Sequence, residues 1–266
     1  RRLLVSTATV CRISPRGRDL TQTAAANSVV MRNGTTGEVS ALDGREEAPE
    51  LFHGKVFCAD EDCLLNPECE CAEGAIPSGE RQIGGLAVGV PGVIAAVARL
   101  LADNGTMTLA QVARPAEKLA QEGFEMYSGM HRSISSNLNK LGRFEATRAL
   151  FLNAEGTAPR VAVGELFTNP DLAETLRLLG EQGPESFYTD APLPGEIVDA
   201  AQSAVNQNTG KYGLMSVDDL GGYRAVYRRP VESTYRGRTL IGMPMPSSGG
   251  AAVAQIFHWL EGWEQP

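Results

Sequence analysis

The stretch VVMRNGTTGEVSALDGREEAP, residues 29–49, is where a regular pattern first emerges along this chain. VVMRNGTTGEVSALD reads as two short strands joined by a turn at Asn33-Gly34, the residue pair that most readily supplies the backbone a tight turn needs. The remaining residues, GREEAP, place Arg45 after a strand and a glycine turn, among Asp43, Glu46 and Glu47. On the residues alone Arg45 is a surface ion-pair partner, and such pairs are common and weak.

Outward from this stretch the texture changes twice. Residues 1–27 are rich in Ser, Thr and Arg, with short apolar clusters and no convincing period. Residues 58–83 form a polar, cysteine-bearing insert that reads as a surface loop outside the core, with Leu64, Leu65 and Ile76 its few bulky apolar residues. Helical patterns come after it. VIAAVARLLADNG places Ile94, Val97, Leu100 and Leu101 on one face and ends at Asn104-Gly105. TLAQVARPAEKLAQEG starts at a Thr108 cap, is interrupted by Pro115 and stops at Gly123. NPDLAETLRLLGEQGP has Pro170 at the first helical position, Leu172, Leu176 and Leu179 on one face, and Gly183-Pro184 as its stop. SVDD, residues 216–219, is a capping-box start. YRAVYRRPVESTYRGRTLIGMP gives β-like runs. Helices and strands in mixed order, with no internal repeat, indicate an α/β (α+β) fold.

The bulk properties exclude some functions. The chain has 266 residues, 42% of them hydrophobic and 21% charged, as in a globular protein with ample core. Its net charge of −8, with basic residues gathered only in RRLLV and RISPRGR, argues against a nucleic-acid partner. No apolar run approaches the roughly 18 residues that a membrane span needs. The chain begins at Arg1 and stops soon after an aromatic helix segment, so both ends read as cut.

Three further groups invite a catalytic or metal reading. In PMPSSGG, residues 244–250, Ser247 or Ser248 is no G-x-S-x-G nucleophile, and no Lys follows the glycines as in a phosphate loop. The motif reads as a strand end and helix start, with Ser247 or Ser248 capping and the glycines allowing close packing of Val253, Ile256, Phe257 and Leu260. His53, His131 and His258 have no partners at ligand spacing and read as structural. Cys58, Cys63, Cys69 and Cys71 crowd the insert, at spacings that fit no zinc ribbon, with Cys11 far away. The cluster reads as two disulfides in a secretory loop. Free thiols or a wrongly joined exon, and a metal site, are the alternatives. The sequons at Asn33 and Asn104 lean toward the secretory reading.

Six pieces, in order, resemble the γ-glutamyltransferases (glutathione hydrolases). They are GEVSALDGREEAP (37–49), GGLAVGVPG (84–92), GTMTLAQVARPAEKLAQEGF (105–124), NPDLAETLRLLGEQGPESFY (169–188), MSVDDLGGYRA (215–225) and YRGRTLIGMPMPSSGG (235–250). The resemblance covers residues 28–266, most of the family's large subunit. Residues 1–27 do not match the Gly/Ala-rich helix and glycine stretch expected before the first strand pair, and read as an unmatched, mis-joined segment.

The resemblance implies part of an N-terminal-nucleophile hydrolase α-β-β-α sandwich, incomplete without the small subunit. Family members cut themselves from one precursor, and the new N-terminal Thr of the small subunit is the nucleophile. That Thr is expected beyond Pro266, so no catalytic residue is assigned within this chain. Arg45 matches the Arg that grips the α-carboxylate of the glutamyl donor. The implied partners are glutathione and γ-glutamyl compounds, amino-acid or dipeptide acceptors, and the small subunit of the same precursor. No cofactor and no metal are implied. The compartment implied is the secretory pathway, extracellular or plasma-membrane associated, with a vacuole as the alternative; no signal or anchor is expected within this chain. A non-catalytic remnant retaining only the γ-glutamyl pocket wall is the alternative reading.

Overall fold

A computed structural model describes residues 23–25, 28–190 and 192–263. The expectation for residues 1–27, Cys11 included, therefore lies outside the described residues except for the backbone of Thr23–Ala25. The chain forms two compact units, one from residues up to 47 with 91–108 and 222 onward, the other from 48–90 and 109–221.

In the first unit, β1 (Thr23–Ala25), β2 (Ser28–Arg32), β3 (Val39–Asp43) and β6 (Val226–Arg228) make an antiparallel sheet in the order β1-β2-β3-β6. Val29 pairs with Leu42 across β2 and β3, and both are buried with Met31 against Ala96 and Leu100 of helix α1 (Val93–Asn104). Ala96 and Leu100 lie four residues apart and so share one face, which Ile94, Val97 and Leu101 flank half-buried. The strand pair is as read from the sequence; its connection is not. Asn33 Oδ1 accepts from the amides of Thr35 and Thr36, Asn33 N donates to Glu38 O, and the left-handed backbone falls at Gly37, φ 77°. An Asn side chain that folds back on the backbone two residues on stabilises a longer loop at the expense of a two-residue turn.

Two more strands, β7 (Val231–Tyr235) and β8 (Arg238–Gly242), form a hairpin whose corner residues Arg236 and Gly237 both have positive φ, 45° and 71°. That backbone suits the right-handed twist of a hairpin. Helix α10 (Gly249–Glu261) lies on this hairpin with Phe257 against Tyr235, ring centroids 4.7 Å apart. The glycines act as expected: a Cβ on Gly242 would sit 2.7 Å from Gly250 Cα, so only glycine permits this approach. The serines do not. Ser248 occupies the N-cap position with helical backbone (φ −74°, ψ −16°) and makes no side-chain cap bond, because capping needs the extended backbone that turns the hydroxyl toward the first amides. Nor are Val253, Ile256 and Leu260 packed away; all three are exposed.

In the second unit, α2 (Leu109–Glu122) packs on α6 (Pro170–Gln182). The first runs unbroken through Pro115, contrary to the break read from the sequence. The second begins as expected, with Asn169 Oδ1 accepting from Leu172 N and Pro170 in the first turn, and stops at Gly183, φ 86°. Its buried stripe is Ala173 and Leu179, while Leu172 is exposed. A Cβ on Gly180 would come 3.1 Å from Ala110 Cα, so the two helices approach closely there. Strands β4 (Phe124–Glu125) and β5 (Leu166–Phe167) pair antiparallel. Around them α3 (Ser128–Ser135), α4 (Leu138–Leu141) and α5 (Glu145–Phe151) enclose Met126, Ile134, Leu152 and Phe167. Short α7 (Glu185–Tyr188) and α8 (Leu193–Ser203) lead to α9 (Val217–Gly222). Ser216 and Asp219 form the expected capping box: Asp219 N donates to Ser216 Oγ at 3.1 Å and Ser216 N to Asp219 Oδ2 at 2.8 Å.

The cysteine insert also departs from its reading as a loop outside the core. Cys58 bonds Cys71 and Cys63 bonds Cys69, one disulfide nested in the other. Leu64 is 5% exposed and joins Val56, Leu86 and Leu214 in one apolar cluster. Two lysines hold the insert's backbone: Lys55 Nζ donates to Cys69 O at 2.5 Å and the buried Lys211 Nζ to Asp60 O at 2.6 Å. A polar composition hid the few residues that anchor it.

Candidate functional site: the setting of Arg45

Arg45 follows β3 directly, so the sheet sets where its backbone leaves the core. Its side chain is 39% exposed. Nε donates to Glu46 Oε1 at 3.3 Å, and Nη1 to the carbonyl oxygen of Pro246 at 3.1 Å. Of the acids named from the sequence as ion-pair partners, Glu46 is engaged. Asp43 is not: it is buried, accepting from Arg45 N at 3.0 Å through Oδ1 and from Arg228 Nε at 2.7 Å through Oδ2. Tyr223 donates its hydroxyl to Arg45 O at 2.7 Å. Glu46 and Pro246 thus hold the guanidinium, and Asp43 and Tyr223 the backbone behind it. A guanidinium on a partly exposed side chain with a fixed backbone can meet a carboxylate with two parallel charge-assisted hydrogen bonds.

Two of these partners escaped the sequence reading. Tyr223 lies in MSVDDLGGYRA, a stretch recognised for its order in the chain but given no role. Pro246 lies in PMPSSGG, and its carbonyl is what reaches Arg45. Next to it an apolar cavity of about 230 Å³ opens between the hairpin and α10, lined by Leu240, Ile241, Met243, Val253 and Ala254 among others. Its lining carries no charged side chain.

A rival cluster lies in the second unit. Glu80 receives both terminal nitrogens of Arg143, at 2.6 and 3.1 Å, the amide of Asn206 at 3.0 Å and that of Asn208 at 3.1 Å. The Arg143 hydrogen bond, then those of Asn206 and Asn208, lower its carboxyl to about 2. A shifted acid often marks a site. Here every acceptor position is used, leaving no lone pair for a substrate, so the cluster ties residues 80, 143 and 206–208 together. Of the histidines, His53 accepts from Lys55 N through Nδ1, and His258 is exposed on α10. The sequon residues Asn33 and Asn104 line one shallow hollow of about 350 Å³ in the first unit.

The gamma-glutamyltranspeptidase family model matches residues 27–265. The Escherichia coli glutathione hydrolase proenzyme is 31% identical over 229 residues, 86% of this chain and 36% of its own. An acylase ACY 1 proenzyme from Pseudomonas is 34% identical over 185 residues, covering 70% of this chain and 31% of that one. The structure of Helicobacter pylori gamma-glutamyltranspeptidase superposes with a TM-score of 0.76 at 27% identity, over 89% of this chain and 61% of that one. The chain therefore spans about a third of the length of the curated relatives it matches, and its mixed helix and strand architecture is part of an N-terminal-nucleophile hydrolase fold. With the match running from the first strand pair through Arg45 to the end of α10, this chain belongs to the gamma-glutamyltranspeptidase family.

Proposed function

We propose that this chain is the donor-gripping part of an enzyme that cleaves the γ-glutamyl bond of glutathione and its conjugates and transfers the group to water, an amino acid or a dipeptide. The observation that carries the reading is the partly exposed Arg45 side chain on a backbone clamped by Asp43 and Tyr223. Arg45 holds the donor's α-carboxylate and so presents its γ-carbonyl at the far end of the glutamyl chain. The nucleophile is the N-terminal Thr of a small subunit from the same precursor; the word proenzyme in the names of both relatives supports that origin. Its hydroxyl attacks the carbonyl while its own amine takes the proton. The tetrahedral intermediate collapses with loss of the protonated amine, and water or an acceptor amine then displaces the acyl group. No cofactor or metal is called for.

The nested disulfides support an oxidising compartment, which is the secretory pathway, cell exterior, plasma-membrane surface or vacuole. No helix among the described residues is long and apolar enough to cross a membrane.

The 34% identity to an acylase favours a second reading, in which the donor is another acyl compound. Both are tested on the chain joined to the Thr-led segment of its own reading frame. Hydrolysis of a γ-glutamyl anilide, lost in Arg45→Ala, supports the first. Turnover confined to acyl donors without an α-carboxylate supports the second. Absence of turnover in a correctly cleaved protein leaves only a non-catalytic remnant.

A further inference from the structure

Residue 45 is fixed at both polar groups of its backbone. Asp43 Oδ1 accepts from its N–H at 3.0 Å, and the Tyr223 hydroxyl donates to its carbonyl at 2.7 Å. Tyr223 is 4% exposed, and its hydroxyl lies in a slot that exists because residue 92 is glycine. A Cβ on Gly92 would overlap both that hydroxyl and the carbonyl oxygen of Gly44. The loop before α1, the segment after α9 and the end of β3 thus meet at the peptide that carries Arg45.

We propose that Tyr223 is a positioning residue for donor binding: its hydroxyl, seated in the Gly92 slot, fixes the Arg45 carbonyl and through it the direction of the guanidinium. The proposal rests on reading Arg45 as the donor-carboxylate anchor. An arginine reaches its ligand through a long chain of rotatable bonds, so two parallel hydrogen bonds to a carboxylate require the backbone at their base to be held still. Pro246 and Glu46 steady the tip, while Tyr223 and Asp43 steady the root. The tyrosine touches neither donor nor nucleophile, so its removal loosens donor binding without touching the acyl-transfer step.

The test uses the full two-subunit enzyme containing this segment. Tyr223→Phe keeps the buried ring and removes only the hydroxyl. Its expected effect is a roughly three- to tenfold rise in KM for a γ-glutamyl anilide, the scale of one lost hydrogen bond, with kcat near wild type. KM for a 4-aminobutyryl anilide, which lacks the α-carboxylate, should not move. In an Arg45→Ala background Tyr223→Phe should add nothing. Equal losses on both donors, or no change on either, would overturn the positioning role. If Arg45→Ala itself leaves γ-glutamyl kinetics at wild type, the anchor reading has failed instead. Should Tyr223→Phe not mature, Asp43→Ala removes the acceptor at the other end of the same residue and must show the same carboxylate-dependent rise in KM; if it does not, the proposal falls.

Discussion

Arg45 Nη1 donates to the carbonyl oxygen of Pro246 at 3.1 Å, joining residues 201 apart in the chain. The loop that looks like a nucleophile motif is a wall against which the Arg45 side chain leans. The contact is made by its backbone, and the serine side chains take no part in it.

Arg45→Lys in the complete enzyme should raise donor KM and leave precursor cleavage intact, since cleavage needs no donor. Lysine cannot form the two parallel bonds of a guanidinium. Loss of a hydrogen bond to a charged group costs roughly 1.5–3 kcal/mol, or about 10- to 150-fold in kcat/KM. Steady-state kinetics on a γ-glutamyl anilide reads this directly, and wild-type values would remove Arg45 from the binding site.

The 266-residue chain alone should release no glutamate from glutathione or a γ-glutamyl anilide, because positioning without an activated nucleophile leaves only residual rate enhancement. Ser248 does not cap α10, so Ser248→Ala should also shift stability by less than about 0.5 kcal/mol. Robust turnover by the isolated chain, with acyl label recovered on Ser247 or Ser248, would make one of these serines a nucleophile after all.

Glu80→Gln should destabilise the protein above pH 5 and much less in acid. The folded carboxyl titrates at about 2, well below its ordinary 4.5, chiefly because Arg143 and then Asn206 and Asn208 hydrogen-bond the charged form. A depressed folded value means that the contribution is complete above about 4.5 and fades as pH falls toward 2. Thermal unfolding of both proteins from pH 7 to pH 3 should show melting temperatures that converge on acidification. A constant gap would mean that the charge is not what matters.

Removing the Cys58–Cys71 bond by Cys→Ser at both positions should cost about 3 kcal/mol on the chain-entropy scale for a loop of this length, and removing Cys63–Cys69 about 2 kcal/mol. Deleting 59–75 should cost more than either, since it also takes Leu64 from its cluster with Val56, Leu86 and Leu214. Denaturant unfolding gives the ranking, and a peptide map without reductant gives the pairing. A deletion as stable as wild type would return the insert to the status of a dispensable loop.

Local signals settled much of this molecule. The strand pair around Val29 and Leu42, the Asn169–Pro170 start and Gly183 stop of α6, the Ser216–Asp219 capping box and the crowding of four cysteines are all short-range. They depend on hydrogen bonds, backbone freedom and periodicity within a few residues, which a sequence displays openly. The order of the motifs likewise led to Arg45. Tertiary structure decided the rest. Pro115 stays inside a helix that packs along its length on α6. Asp43 turns to Arg228 instead of the Arg45 side chain, Leu64 enters a core from a polar insert, and Tyr223 and Pro246 close on Arg45 from far along the chain. Each of these rests on partners that only folding brings together, and no local pattern encodes a partner 178 or 201 residues away.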